Sequence, residues 1–351
     1  MLDIRNIISA ATEREASDIH LTVGIPPSIR VDGQLIQIPD HERLMPEDTK
    51  KLADELMDDY AREKFELKGE VDFSYSIVGF GRFRVNVYKQ RGTVSMALRT
   101  VPLSVPSLDE LGLPPILKEL AMKKRGLVLV TGPTGSGKST TLAAMIDHMN
   151  KHRNGHIITL EDPIEYLHRH GKSIINQREV GHDTYSYADA LRAALRQDPD
   201  VILIGEMRDL ETISTAVTAA ETGHLVLSTL HTIGAVQTID RIIDVFPPDQ
   251  QQQIKVQLAS VLEGVISQQL IKKADNKGRI AALEIMLANA AIRNHVREGK
   301  THQILSALQT GRKHGMVTMD AYLTELYRQG LISYNDAILH AVDRDMLSRL
   351  L

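Results

Sequence analysis

The sequence predicts an α/β fold: a parallel sheet covered by helices, preceded by a smaller α+β unit and followed by a helical C-terminal region. Two patterns carry this prediction. After Gly126, helical stretches alternate with short apolar runs, namely Leu127–Val130, Ile157–Leu160, Val201–Ile204 and Leu225–Leu227. Continuous apolar runs are typical of strands buried on both faces of a parallel sheet. Before residue 100, apolar residues instead alternate with polar ones, which is typical of an antiparallel sheet.

The predicted α+β unit covers residues 1–100. Apolar residues at helical spacing predict a short amphipathic helix; they are Leu2, Ile4, Ile7, Ile8 and Ala11. Asp32-Gly33 separates the alternating runs 28–31 and 34–36. Because both turn residues tolerate positive φ, this pair predicts a hairpin. Three later alternating segments, 71–77, 83–87 and 94–98, predict an antiparallel meander.

The segment 101–115 predicts a stiff linker between the two domains. It holds four of the chain's 13 prolines, which remove backbone donors and fix φ. A surface loop inside one domain is the alternative interpretation. The α/β core is expected over 116–270. After about Asp249 no strand is predicted, because four segments have helical patterns: 250–267, 302–310, 317–330 and 334–341. Residues 271–351 are therefore expected to form the helical C-terminal region.

Composition excludes several classes of function. Lys plus Arg total 41 and Asp plus Glu total 45, a net charge of −4, which argues against a generally basic nucleic-acid binder. The chain has no Cys, so disulfides and Cys-ligated zinc or iron–sulfur sites are excluded. No apolar run reaches the roughly 18 residues of a membrane-spanning helix. Charged residues interrupt the N-terminal 20 residues, unlike a secretory signal. We expect a soluble, intracellular protein.

The strongest motif is a complete match to GxxxxGK[ST], directly after the strand pattern 127–131 and before a helical pattern. Glycines let consecutive backbone N–H groups surround phosphate oxygens, and a helix N-terminus adds positive potential. Lys138 is expected to reach the β- and γ-phosphates, and the Ser139 hydroxyl to join a Mg²⁺ shell. A chance match has an expected frequency on the order of 0.01 in such a chain. The predicted nucleotide-binding residues are Gly132, Pro133, Thr134, Gly135, Ser136, Gly137, Lys138, Ser139 and Thr140.

Two acidic sites follow predicted strands. The strand 201–204 ends in Gly205-Glu206, the position of a Walker B carboxylate, and Glu206 is assigned the role of activating water. A solvated acid at a helix start is the alternative for Glu206. Glu161, Asp162 and Glu165 follow the strand 157–160, and the carboxyl ends of parallel strands form the ligand crevice, so these acids are expected near Mg²⁺. Alone, this acidic run could equally be a turn with a solvated edge.

One histidine lies at each end of the predicted strand 225–228. His224 precedes the strand, and His231 follows it. A histidine at the carboxyl edge could donate a hydrogen bond to a γ-phosphate oxygen or to Glu206 and so report loss of the phosphate. A structural histidine with satisfied hydrogen bonds is an equally good interpretation. Metal ligation is disfavoured, because no second ligand lies at i+2 or i+4.

Four motifs, in this order, resemble those of the type II/IV secretion ATPase superfamily, whose members are hexameric. They are the P-loop, the acidic box TLEDPIEY (159–166), the strand end Gly205-Glu206 and the histidine box TGHLVLSTLHT (222–232). Segments 16–33, 175–181 and 291–298 are similar to those of the pilus retraction ATPases of this superfamily, the last with His295 and Val296 where Leu and Ile are usual. The resemblance covers nearly the whole chain. It implies a RecA-like P-loop NTPase domain after a PAS-like N-terminal domain.

The resemblance also implies a role for arginines of the N-terminal domain, which in this superfamily contact the nucleotide. Arg84 and Arg99 match those positions, and Arg82 is a weaker candidate. A guanidinium presents a fork of donors to the charge on a transferred phosphoryl group. Arginines that are merely solvated on an exposed sheet face are the alternative.

For function, the resemblance implies a homohexameric, Mg²⁺-dependent ATPase that hydrolyses ATP to ADP and phosphate and drives type IV pilus retraction, or twitching motility. Its implied partner is the inner-membrane pilus platform protein, with the pilus assembly ATPase or an accessory retraction ATPase as further partners and no nucleic acid. The implied location is cytoplasmic, at the inner membrane through partner proteins.

Two features favour retraction over assembly or type II secretion. ATPases of those systems typically carry an extra N-terminal domain and a four-cysteine zinc module, whereas this chain opens on the PAS-like unit and lacks Cys. The alternatives are an assembly, DNA-uptake or secretion ATPase of the same superfamily, and a nucleotide-gated accessory subunit that hydrolyses ATP poorly.

Overall fold

The structure is a computed structural model that describes residues 3–31, 33–102 and 104–351. The chain divides into two units. The first runs from the N-terminus to Ser104 and includes Glu165–Leu167, and the second comprises Val105–Ile164 and His168–Leu351.

The first unit is a six-stranded antiparallel sheet with three helices. The strand order is β3-β2-β1-β6-β5-β4. Its strands are β1 Asp18–Leu21, β2 Ser28–Val31, β3 Gln34–Gln37, β4 Glu70–Ile77, β5 Gly81–Gln90 and β6 Thr93–Val101. Its helices are α1 Ile4–Thr12, α2 Pro46–Leu56 and α3 Asp59–Lys68.

The local patterns of the first unit are confirmed. Helix α1 buries Ile4, Ile7, Ile8 and Ala11, as the helical spacing predicts, while Leu2 lies outside the described residues. Strands β2 and β3 pair with Val31 opposite Gln34, so a two-residue turn joins them; Gly33 has φ +81°, and Asp32 lies outside the described residues. Strands β4, β5 and β6 form the predicted meander.

The second unit is built on a seven-stranded sheet in the order β13-β12-β7-β11-β10-β8-β9. Its strands are β7 Gly126–Thr131, β8 His156–Glu161, β9 Ile174–Glu179, β10 Val201–Ile204, β11 Leu225–Leu230, β12 Leu262–Lys272 and β13 Arg279–Leu287. Its helices are α4 Ile116–Ala121, α5 Lys138–His152, α6 Tyr187–Ala194, α7 Leu210–Glu221, α8 Ala235–Asp244, α9 Gln251–Val261, α10 Ala290–Glu298, α11 Ile304–Thr310, α12 Met319–Arg328, α13 Tyr334–His340 and α14 Arg344–Leu350.

The predicted α/β architecture is confirmed. Strands β12, β7, β11, β10, β8 and β9 pair in parallel, and every residue of β7, β10 and β11 is buried, as continuous apolar runs require. The carboxyl ends of these strands therefore lie along one edge of the sheet. None of the helices in the described ranges combines the length and the apolar character that crossing a bilayer needs.

The prediction of a strand-free C-terminal third is wrong. The segment 250–267 contains helix α9 and the start of strand β12, and β12 forms an antiparallel hairpin with β13. Residues Leu258, Val261, Leu262, Val265 and Ile266 have helical spacing, but β12 is buried between β7 and β13, whose backbone hydrogen bonds extend it. Tertiary pairing overrides the local pattern here. The helices expected over 302–310, 317–330 and 334–341 are present as α11, α12 and α13.

The proline-rich segment 101–115 is only partly a linker. Leu108 and Leu113 are buried in the same apolar cluster as Leu117 of helix α4. The unit boundary lies at Ser104 and Val105, so the second half of this segment is packed structure of the α/β unit.

Candidate nucleotide-binding site

The P-loop lies at the carboxyl end of strand β7 and closes into helix α5. Gly137 caps α5 with φ +87°, a left-handed conformation that glycine adopts without strain. Gly132 has φ +138°, and a Cβ there would lie 2.2 Å from the carbonyl oxygen of Gln268. Only glycine therefore allows the loop to leave β7 this close to the neighbouring strand.

The polar groups of this loop suit a phosphate. Lys138 Nζ donates hydrogen bonds to the carbonyl oxygens of Gly132 at 2.9 Å and Pro133 at 3.0 Å, so the ammonium lies over the loop. The N–H groups of the first turn of α5, which contains Ser139 and Thr140, have no partner inside the helix. Within the described residues, the buried hydroxyl of Ser136 makes no hydrogen bond. A polar cradle with an unsatisfied donor fits a phosphate group.

A cavity of about 370 Å³ adjoins the start of helix α5. Its lining includes Leu111, Leu113, Thr140, Thr141, Leu270 and Arg279. Leu111 and Leu113 come from the segment that sequence analysis assigns to the linker. The leucines make the cavity largely apolar, and Arg279 adds a polar group to its lining. This combination suits the nucleoside part of a ligand whose phosphates occupy the P-loop.

Glu206 and His231 meet at the same edge of the sheet. Glu206 follows β10 and His231 follows the neighbouring strand β11, and Glu206 Oε1 lies 3.1 Å from His231 Nε2 and 2.5 Å from Arg208 Nε. Partial burial acts to raise the pKa of the Glu206 carboxyl, but the hydrogen bond from Arg208 and the nearby His231 outweigh it and hold that pKa below its ordinary value. Glu206 is therefore an ionised acceptor at neutral pH.

Tyr187, at the start of helix α6, belongs to this cluster, and sequence analysis misses it. A Cβ at Gly205 would lie 2.7 Å from the Tyr187 hydroxyl, which explains why glycine precedes Glu206. Burial, together with the charges of Asp162, Glu161 and Glu206, raises the pKa of this hydroxyl well above its ordinary value. Tyr187 remains a hydrogen-bond donor among carboxylates. No sequence motif marks it.

The acidic box divides between the two units. Glu161 ends β8, and its Oε1 accepts hydrogen bonds from Thr159 Oγ1 at 2.6 Å and from Gln177 Nε2 at 3.1 Å. Gln177 on β9 is a second residue to which sequence analysis assigns no role. Asp162 is exposed beside this network, whereas Glu165 groups with the first unit. The role of Glu165 stays a prediction.

His224 is not brought together with these residues. It precedes β11, so it lies at the opposite end of that strand from His231. Its Nδ1 lies 2.9 Å from the carbonyl oxygen of Ala219 and 3.2 Å from Thr222 Oγ1, both in the last turn of helix α7 or at its cap. His224 thus bonds the end of helix α7, whereas His231 contacts Glu206. A catalytic role for His224 stays a prediction.

Arg84 and Arg99 are neighbours within the first unit. They lie directly opposite each other in the β5–β6 register, so they share one face of that sheet. Arg84 Nε lies 3.7 Å from Asp72 Oδ1, and Arg99 Nε donates to Asp18 Oδ1 at 2.9 Å. Burial acts to raise the pKa of Asp18, but hydrogen bonds from Arg99 and Ser17 hold it below its ordinary value. The role of both arginines toward nucleotide stays a prediction.

Within the described ranges, no cluster of three or more His, Asp or Glu side chains could hold a metal ion alone. Magnesium in phosphate sites is held mainly by substrate oxygens, waters and one or two side chains. The Ser139 hydroxyl at the start of α5 and the carboxylate of Glu206 are suitable ligands of that kind. Mg²⁺ dependence stays a prediction.

Comparison with known proteins identifies the family. Residues 1–328 match the family model described as "Type II/IV secretion system protein". The chain belongs to this family. It is 49% identical over 338 residues to the "Type IV pilus retractation ATPase PilT" of Pseudomonas aeruginosa, covering 96% of this chain and 97% of that one. It is also 49% identical over 324 residues to a "Twitching motility protein" of Neisseria gonorrhoeae, covering 92% of this chain and 86% of that one.

A solved structure agrees with the fold of the whole chain. "Crystal Structure of the Pilus Retraction Motor PilT and Bound ADP" superposes with a TM-score of 0.94 at 54% identity, covering 99% of this chain and 100% of that one. The fold class predicted from the sequence is the fold of this family member.

Proposed function

We propose that this protein is an ATPase motor that drives type IV pilus retraction. One observation carries the enzymatic part: the P-loop with Lys138 and the Glu206–His231 pair lie at the carboxyl ends of three neighbouring strands, β7, β11 and β10. Relatives that are 49% identical and described as a pilus retraction ATPase and a twitching motility protein support the biological part.

The proposed binding step uses the P-loop. ATP phosphates are held by the first-turn N–H groups of α5 and by Lys138, whose ammonium exchanges the carbonyl oxygens of Gly132 and Pro133 for phosphate oxygens. The nucleoside enters the cavity beside Thr140. The Ser139 hydroxyl would help to hold a bound Mg²⁺, which would neutralise charge on the transferred phosphoryl group.

The proposed chemical step uses Glu206. A carboxylate whose pKa is held low is a weak base, so its main task is to orient the attacking water and to accept its proton late in the reaction. This suits phosphoryl transfer, whose loose transition state requires little help from a base. His231 fixes the position of Glu206 through the 3.1 Å contact, and its side chain is 43% exposed, which leaves room for it to contact the γ-phosphate as well. Glu161, held by Thr159 and Gln177, adds negative charge that suits the Mg²⁺ side of the site.

The assembly and its partners are part of the proposal. The protein acts as a homohexamer on the inner-membrane platform protein, and Arg84 and Arg99 complete the site of a neighbouring subunit. In this arrangement hydrolysis changes the relation between domains of adjacent subunits and so performs mechanical work.

Two measurements test this proposal. Purified protein should hydrolyse ATP in the presence of Mg²⁺ and lose this activity in EDTA, and absence of turnover would favour a nucleotide-gated accessory subunit. Deleting the gene in its own host should leave cells with excess surface pili and no twitching. Bald cells would instead indicate an assembly ATPase.

A further inference from the structure

Strand β12 lies beside strand β7 and reaches the P-loop where β7 ends. β12 pairs with β7, and the last aligned residues are Ser267 and Thr131, immediately before Gln268 and Gly132. Gln268 is 2% exposed. It therefore occupies the point where the P-loop leaves the sheet.

The side-chain amide of Gln268 bridges the P-loop and the first turns of helix α5. Its Nε2 donates to the carbonyl oxygen of Ser136 at 2.7 Å, and its Oε1 accepts from the Thr141 hydroxyl at 2.7 Å. Ser136 and Thr141 lie on either side of Lys138. One end of the amide must donate and the other accept, so neither a carboxylate nor an apolar side chain of similar size can make both bonds.

Packing confirms that the loop rests on this residue. A Cβ at Gly137 would lie 2.8 Å from Gln268 Nε2, just as a Cβ at Gly132 would meet its carbonyl oxygen. Both glycines thus fit against the backbone or the amide of Gln268. Contacts with strand β12, together with the glycines of the P-loop, thus determine the conformation of the loop.

We infer that Gln268 is a positioning residue that holds the P-loop in the shape that binds phosphate. The inference rests on the proposed nucleotide-binding function. When only a fraction of molecules has the competent loop shape, the apparent Kd rises in inverse proportion to that fraction. Loss of the bridge should therefore weaken binding more than it slows the chemical step.

The adjacent residue provides a matched control. Gln269 is also a glutamine on β12, but its Oε1 lies 2.8 Å from Nδ1 of His340 at the end of helix α13. Its side-chain hydrogen bonds in the part of the chain that the structure describes go to His340, away from the P-loop. Gln268→Met and Gln269→Met thus remove the same amide from successive positions of one strand.

The experiment compares ADP binding by calorimetry, ATP turnover and thermal unfolding of the full-length protein and both variants. We expect Gln268→Met to raise the Kd for ADP and the KM for ATP about tenfold, because the fraction of molecules with the competent loop shape falls about tenfold. The value of kcat should change less than about twofold. Gln269→Met should leave both constants near the parent values. Equal Kd values in the parent and Gln268→Met would overturn the inference while the proposed function stands.

A second pair of variants covers the case in which Gln268→Met fails to fold. Thr141→Val removes the donor to Gln268, whereas Thr141→Ser keeps the hydroxyl. We expect the Kd for ADP to be higher in the first variant than in the second, and the same Kd in both would overturn the inference. A folded parent that does not bind ADP would instead refute the proposed function, and the inference with it.

Discussion

In the seven-stranded sheet, charged side chains lie at the carboxyl ends and at the amino ends of the strands. The two sets of charged side chains are bound in different ways. At the carboxyl end, Glu206 is held by the side chains of Arg208 and His231, and Arg208 is 73% exposed. At the amino end, Arg293 of helix α10 is bound mainly by backbone. Its guanidinium donates at 2.8 Å to the carbonyl oxygens of Ala288, Ala259 and Ser260 and to Glu263.

The two sets of charged groups differ in whether backbone or side chains bind them. The amino-end arginine uses its donors on the last carbonyl groups of helix α9, which have no partner within that helix. Glu263 is shared between Arg293 at 2.8 Å and Lys123 at 3.0 Å. These groups fasten helices to strands. The carboxyl-end groups are held by other side chains, which can reorient when a substrate arrives. Similar residue types thus hold helices to strands at the amino end and, in the proposed function, take part in chemistry at the carboxyl end.

The largest expected effect is at Lys138. Lys138→Ala removes the only side-chain ammonium placed over the P-loop within the described residues, so turnover should fall to background. The fold should persist, because the hydrogen bonds from this lysine to the carbonyl oxygens of Gly132 and Pro133 lie within its own loop. ATP turnover and circular dichroism check this. Hydrolysis near the parent rate would show that the P-loop assignment is wrong.

The variant Arg84→Ala tests whether the nucleotide site at the carboxyl ends of the strands is complete within one chain. Arginines supplied in trans are worth about 10³–10⁵ in kcat in other nucleotide hydrolases, so Arg84→Ala should be nearly inactive. Co-assembly of Arg84→Ala with Lys138→Ala should restore partial activity, because some interfaces then carry both intact halves. Co-purification shows whether mixed rings form, and mixed rings that stay inactive would refute action in trans.

Glu206→Gln keeps the volume of the side chain but removes its charge. We expect a loss of about 10²–10⁴ in kcat, the range for a general base, with ATP still bound. Single-turnover kinetics measure the chemical step, and ADP affinity measures nucleotide binding. An unchanged kcat would move the role to Glu161 or Glu165.

Arg293→Ala tests the amino end. It leaves backbone carbonyl groups without a charged donor and removes one of the two cations that bind Glu263, so the free energy of unfolding should fall by about 1–3 kcal/mol. The unfolding midpoint should drop by about 2–4 °C for each kcal/mol in a unit of this size. At temperatures where the variant is folded, kcat should stay within about twofold of the parent. A large loss of kcat without loss of stability would break the distinction between the two ends.

The smallest effect is expected at His224. His224→Asn retains a group that can bond the end of helix α7, and the site lies a full strand away from Glu206. We expect kcat to change less than twofold, whereas the matched change His231→Asn should lower it at least tenfold. Equal effects would show that His224 takes part in catalysis as well as His231.

The sequence is informative wherever structure is local. The P-loop, the strand before Glu206 and the hairpin around Gly33 are each determined within a few residues, and they are predictable. Strand β12 is not, because its extended conformation comes from β7 and β13 rather than from its own helical spacing. Tyr187 and Gln268 are missed for a related reason. Tyr187 lies against Gly205, and Gln268 bonds Ser136. In each pair the two residues are far apart in the sequence, and no motif connects them.

Three successive residues of β12 bind three different parts of the unit. The Ser267 hydroxyl accepts from the N–H of Gly234, just after the histidine box, Gln268 holds the P-loop, and Gln269 binds His340 of helix α13. Segments bonded to one rigid strand open together or stay closed together. Amide hydrogen exchange should therefore slow at Gly234 and along helix α13 when ADP binds at the P-loop, although neither segment lies in the phosphate cradle.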